Sequence, residues 1–170
     1  LKEDAMFHTP TIDSTDKASF YRDLAAQMSS IFDGEKDHIA NAANCSALLF
    51  DQMPDLNWAG FYFLSSPDEL VVGPFQGKPA CVRIKMGKGV CGSAALRKAS
   101  ILVEDVDAFP GHIACDSASR SELVVPLIKG DAVLGVIDLD SPRPARFDAA
   151  DQAGIEAIAA LYVAACATSV

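Results

Sequence analysis

The sequence predicts an α+β domain in which a mainly antiparallel sheet of about six strands is flanked by helices. Helical periodicity dominates the first third of the chain, short segments rich in β-formers fill the middle, and a helical pattern closes it. Phe20, Leu24, Met28 and Ile31 recur at spacings of three and four, which predicts a helix capped by Ser14 or Thr15 and broken at Asp33-Gly34. A second helix is expected over residues 36–52, with Ile39, Ala43, Ala47 and Phe50 along one face and Pro54 beyond its end.

Strands are expected at residues 58–64, 69–73 and 81–85, the first two joined by Ser65-Ser66-Pro67-Asp68. A short helix over 90–97 and a strand at Ile101-Leu102-Val103 follow. Residues 105–120, with Pro110 and Gly111, read as a long loop. Loops of that length are usually functional or disordered, and the apolar and cysteine content here argues against disorder. Residues 123–128 and 132–139 form a hairpin across Lys129-Gly130-Asp131. Asp148 begins a last helix with Ile155, Ile158, Leu161 and Tyr162 as its apolar stripe. No internal repeat or linker divides the chain, so residues 1–17 are expected to be an N-terminal arm and 18–170 a single domain.

A chain of 170 residues can bury a core without disulfide staples. Half of it is apolar, 22% is charged and the net charge is −9, with no run of basic residues. That balance argues against nucleic acid or an anionic membrane as partner. No apolar stretch of signal-peptide length opens the sequence, and the greasiest segment, residues 157–167, is too short to span a bilayer. The expected location is cytoplasmic, where structural cysteines stay reduced. Five cysteines then point to thiol chemistry, metal binding or core filling.

Cys81, Cys91 and Cys115 lie in or beside glycine-rich turns and the long loop, whereas Cys45 and Cys166 sit in apolar helical stretches and read as core. A thiol that reduces an oxidised substrate needs a second thiol to capture its sulfenic acid. Cys91 opens the short helix after Gly87-Lys88-Gly89-Val90, a position expected to lower its pKa. Zinc is the rival: His112-x-x-Cys115 offers two ligands, but no Cys-x-x-Cys pair accompanies it.

Asp138 and Asp140 are two apart on a strand and share one face of the sheet. Glu122 opens the partner strand of that hairpin. Three acids gathered there raise at least one pKa, which suits both binding an ammonium group and delivering a proton to a leaving oxygen. A solvated strand end is the plainer alternative. Trp58 and Tyr62 share a face of an earlier strand and offer either core or an apolar pocket for a methyl group.

Several runs together resemble the free methionine-(R)-sulfoxide reductases. They are Asn57-Trp58-Ala59-Gly60-Phe61-Tyr62, Gly73 through Cys81, Gly87-Lys88-Gly89-Val90-Cys91-Gly92, Asp105 through Asp116, Ser119-Arg120-Ser121-Glu122 and Gly135 through Ser141. The likeness covers about residues 18–165. It implies a GAF fold with a six-stranded antiparallel sheet between helices. It also implies reduction of the R epimer of free methionine sulfoxide, without metal or organic cofactor and with thioredoxin as the recycling reductant. The thiol matching Cys115 is implied as nucleophile, the one matching Cys81 as resolving thiol, and Cys91 as an auxiliary thiol able to pair with Cys81. Glu122 or Asp140 would then protonate the oxygen, the remaining carboxylates would hold the ammonium, and Trp58 and Tyr62 would receive the methyl group. A non-enzymatic GAF module that senses a small ligand or redox state is the alternative. Small residues at Ala157, Ala160, Ala164 and Ala165 leave room for a homodimer through the last helix, or for packing against the chain's own sheet.

Overall fold

The computed structural model describes residues 7–166. Its elements are α1 (Lys17–Phe32), α2 (His38–Gln52), β1 (Trp58–Ser66), β2 (Glu69–Gly77), β3 (Arg83–Lys85), α3 (Gly89–Arg97), β4 (Ile101–Val103), β5 (Ser121–Lys129), β6 (Ala132–Ser141) and α4 (Ala149–Ala165). A 3-10 turn, Val106–Ala108, lies in the long loop. The sheet runs β3-β2-β1-β6-β5-β4, and its pairings are antiparallel. The α+β fold expected from the sequence is the one observed.

Because side chains alternate along a strand, the sheet has two different faces. On one, Phe61, Phe63, Leu123, Val125, Ile137 and Leu139 pack against Leu24, Met28, Leu49, Ile155, Ile158 and Tyr162 of α1, α2 and α4. On the other, Trp58, Tyr62, Val124 and Val136 meet Val90, Cys91 and Ala94 of α3. The second face carries the site.

Local chemistry explains the helix ends, and in places corrects the expectations. Asp16, not Ser14 or Thr15, caps α1; its carboxylate accepts from the Ser19 N–H at 3.1 Å. Asp37 does the same for α2. In α4, Asp148 and Asp151 form a reciprocal capping box. Lys17 reaches both of those carboxylates at 2.6 Å, and the Tyr21 hydroxyl donates to Asp151 at 2.7 Å. The α1–α4 approach is close because Gly154 has no side chain: a Cβ there would lie 2.2 Å from the Tyr21 ring. The expected stripe of α4 packs on the core, with Leu161 partly buried at its margin and Ala159 buried beside it.

The face assigned to α2 is reversed. Ile39 and Phe50 are 46% and 37% exposed, and Ala43 and Ala47 face outward with them. Ala42, Cys45, Leu48 and Leu49 are buried instead. Apolar residues surround this helix, so two faces satisfy the helical period equally well. The sheet takes the face with two leucines. The segment at residues 7–14 has neither helix nor strand but is pinned: Ile12 N–H donates to Gln52 Oε1 at 2.9 Å, and Gln27 donates to the Pro10 carbonyl at 2.8 Å. Residues 1–6 of the arm lie outside the described residues. β3 starts at Arg83, so Cys81 lies in the loop before it rather than in a strand; Pro79, with no N–H, cannot extend the ladder.

Candidate active site

Register places the acids. Trp58 pairs with Asp140, Asp140 with Glu122 and Glu122 with Val103, forming one row across four strands. Two residues along, Gly60 pairs with Asp138 and Asp138 with Val124, on the same face. A bulge makes this possible. Near the hairpin turn Ile128 pairs with Val133, but Leu127 pairs with Gly135, so Leu134 is an extra residue. Without it Glu122 would lie opposite Leu139, and it would share no face with the aspartates.

Gly60 makes room for the aromatic wall. A Cβ there would come within 2.3 Å of Phe75 Cβ and 2.8 Å of the Trp58 ring. Its absence lets Trp58 lie over the sheet, stacked on Tyr62 and Phe75 at 5.9 and 5.1 Å between centroids.

Two small adjoining cavities, of about 30 and 20 Å³, mark the site. Tyr62, Cys115, Asp116, Asp138 and Asp140 line both, Cys91, His112 and Glu122 the larger, and Trp58 the smaller. Burial holds the carboxyls of Glu122, Asp138 and Asp140 well above the usual carboxylate range; the charge of a neighbouring acid adds to it for each. Asp138 is 6% exposed, and its Oδ1 has no hydrogen-bond partner among the described residues. A solvated strand end is ruled out.

Cys81 and Cys115 are joined as a disulfide across a Cα separation of 5.5 Å. β1 and the residue just before it tether both loops that carry them. Trp58 Nε1 donates to the Lys78 carbonyl at 3.1 Å and the Tyr62 hydroxyl to the Cys81 carbonyl at 2.9 Å. Asn57 Nδ2 donates to Asp116 Oδ2 at 3.1 Å and to Ser119 Oγ at 3.0 Å. Lys78 and Asp116 approach to 3.8 Å, so an ion pair links the loops beside the disulfide.

Cys91 is free, as are Cys45 and Cys166, and all three are buried. The expected lowering of its pKa is overturned: burial, and then the charges of Asp138 and Glu122, push the Cys91 thiol well above its ordinary value. The helix N-terminus is a local and modest attraction, while desolvation beside carboxylates disfavours thiolate strongly. One ligand atom each of Cys91, Glu122 and Asp138 lie within 4.8 Å of one another, a spacing open to shared protons or a small cation. The His112–Cys115 zinc pair does not form: His112 Nε2 lies 3.2 Å from Glu122 Oε2, and Cys115 is held by Cys81. Asn57, Lys78, Asp116 and Ser119 are not among the site residues read from the sequence, although all four lie within the runs that carry the family likeness.

A six-stranded α+β domain with a dithiol pair closed over a buried acid pocket defines a small thiol–disulfide protein. Its relatives define it more narrowly. The GAF domain model matches residues 40–166. Protein YtsP of Bacillus subtilis is 51% identical over 148 residues, covering 86% of this chain and 90% of that protein. The free methionine-R-sulfoxide reductase of Escherichia coli is 47% identical over 153 residues, covering 90% and 92%. The structure of free methionine-R-sulfoxide reductase from Neisseria meningitidis in complex with its substrate superposes with a TM-score of 0.90 at 41% identity, covering 94% of this chain and 95% of that one. The chain belongs to the GAF-domain family, in the group that contains the free methionine-R-sulfoxide reductases.

Proposed function

We propose that this protein reduces the R epimer of free methionine sulfoxide to methionine. The observation that carries this is the Cys81–Cys115 disulfide lying over the pocket of Glu122, Asp138 and Asp140. A peptide-bound methionine lacks the free ammonium that such acids would receive.

The reduced form binds substrate. A cavity of about 30 Å³ holds about one water, whereas ligand pockets are typically ~300 Å³ or more. Reduction frees the two loops, and the amino acid enters between them. Its ammonium displaces a proton from the aspartates and is held by Asp138 Oδ1 with Asp140; its methyl group lies against Trp58 and Tyr62. Cys115 thiolate attacks the sulfoxide sulfur while Glu122 gives a proton to the oxygen. The hydroxyl then passes from the methionine sulfur to the Cys115 sulfur as the new sulfur–sulfur bond and the methionine sulfur–oxygen bond break, so methionine leaves with the electron pair and Cys115 becomes a sulfenic acid. Cys81 thiol then attacks Cys115, water leaves and the disulfide forms. A dithiol protein of the thioredoxin class reduces it. Cys91, protonated and buried between the acids, serves as an auxiliary thiol once Cys115 is consumed.

The test uses protein prereduced and freed of reductant. It should release about one equivalent of methionine from the free R-sulfoxide and form the Cys81–Cys115 disulfide, then turn over when thioredoxin and its reductase are added. Binding without methionine release would make the protein a sensor instead.

A further inference from the structure

His112 belongs to the loop that carries Cys115, and its ring meets a group that the reduction consumes. The two side chains, with Nε2 and Oε2 at 3.2 Å, are only 14% and 7% exposed. Burial holds the imidazole below its ordinary value, against the opposing charge of Asp107 from the 3-10 turn. Glu122 of β5 is held high. Both shifts favour a hydrogen bond between a neutral ring and a carboxylic acid over an ion pair. The other titratable groups around the same cavity are Asp138 and Asp140 of β6, Cys91 of α3 and Tyr62 of β1, which burial pushes up, and Asp116 of the loop, which hydrogen bonds from Ala118 and Asn57 hold below its ordinary value. The imidazole differs from all of them in having two ring nitrogens, so it can take up a proton at one and give one up at the other.

Resting on the reductase reading above, we infer that His112 is the proton relay that recharges Glu122 after each reduction. When Glu122 has given its proton to the sulfoxide oxygen, it is left as a carboxylate beside two other acids, at a depth that water reaches poorly. His112 takes a proton from water at Nδ1 and passes its Nε2 proton to Glu122 Oε2. The ring is neutral before and after, with its hydrogen moved from one nitrogen to the other, and it re-equilibrates with water when the loop lifts. Cys115 released one proton to solvent in becoming thiolate, and the relay returns one, so no co-reactant beyond water enters. The same hydrogen bond also brings the nucleophile's loop and the acid together, which couples the proton supply to loop closure.

The test compares His112→Gln and His112→Ala with wild type under steady-state turnover with the thioredoxin system. Glutamine keeps a hydrogen-bonding group against Glu122 but cannot relay a proton. It should lower kcat at least about tenfold with KM within about threefold. In His112→Ala, added imidazole should restore kcat in a saturable way, while equal ionic strength of a non-titrating salt should not, and wild type should not respond. Wild-type kcat in His112→Gln, or a depressed His112→Ala rate that imidazole leaves unchanged, would reduce His112 to a loop tether and overturn the relay. Methionine release by prereduced wild type is measured alongside; its absence would refute the reductase reading itself, and the relay with it.

Discussion

Replacing Asp138 by asparagine keeps the shape of the side chain but removes the charge that the proposed substrate complex needs. Asp138 Oδ1 is buried without a hydrogen-bond partner among the described residues, so in the proposed complex the substrate ammonium is the partner it gains. A hydrogen bond to a charged group is worth ~1.5–3 kcal/mol, and each ~1.4 kcal/mol is tenfold in affinity. Asp138→Asn should therefore raise KM for the free sulfoxide roughly ten- to a hundredfold and leave kcat within about threefold. The same substitution has a stability signature. Burial, then Glu122, holds the native Asp138 carboxyl above its ordinary value, so the folded chain keeps a proton that the unfolded chain releases. Stability is greatest below the ordinary carboxylate value, near ~3.9, and falls as pH rises through the window up to the native value. The variant lacks this slope. Its Tm should gain on wild type as pH goes from about 5 to about 8, by ~2–4 °C for each kcal/mol relieved. Steady-state kinetics and melts of the reduced protein provide both readings. An unchanged KM would refute the ammonium role, and a parallel pH dependence of the two Tm values would refute the protonated pocket.

Cys115→Ser should abolish methionine release in a single turnover, while Cys81→Ser should release about one equivalent and then stall with a sulfenic acid that dimedone traps. Disulfide-bonded protein should not bind free methionine sulfoxide, measured by the fluorescence of Trp58, whereas reduced protein should; equal responses would contradict the closed pocket. Leu49→Ala should cost ~2–5 kcal/mol, and Ile39→Ala within about 0.5 kcal/mol of nothing, in denaturant unfolding; the opposite order would contradict the observed face of α2. A homodimer is expected, with the outward-facing Ala157, Ala160 and Ala164 of α4 at its contact, and sedimentation showing only an 18.0 kDa species at micromolar concentration would contradict it.

The order of helices and strands was legible because the hydrophobic period changes from 3.6 to 2 and back along the chain. The inward face of α2 was not, because Ile39-Ala43-Ala47-Phe50 and Ala42-Cys45-Leu49 are equally periodic and only tertiary packing chooses between them. In the site, the shared face of Asp138 and Asp140 follows from strand geometry alone. The arrival of Glu122 beside them rests on the bulge at Leu134, which shifts register by one residue and has no strong local sequence mark. The state of Cys91 was misjudged for a related reason: helix position is local, but the acids that press on its thiol come from β5 and β6. His112 was visible only as a zinc rival, since its true partner, Glu122, is brought to it by the fold.

The central claim is that a free ammonium and a sulfoxide of one hand are both required by the acid pocket beneath Cys115. The most direct measurement is turnover with the thioredoxin system on three substrates: free methionine-R-sulfoxide, free methionine-S-sulfoxide, and the R-sulfoxide within an N-acetylated peptide. Sustained methionine formation from the free R epimer, with the other two slower by at least about a hundredfold, is the predicted result. Comparable rates on the blocked peptide, or no turnover of the free R epimer, would contradict it.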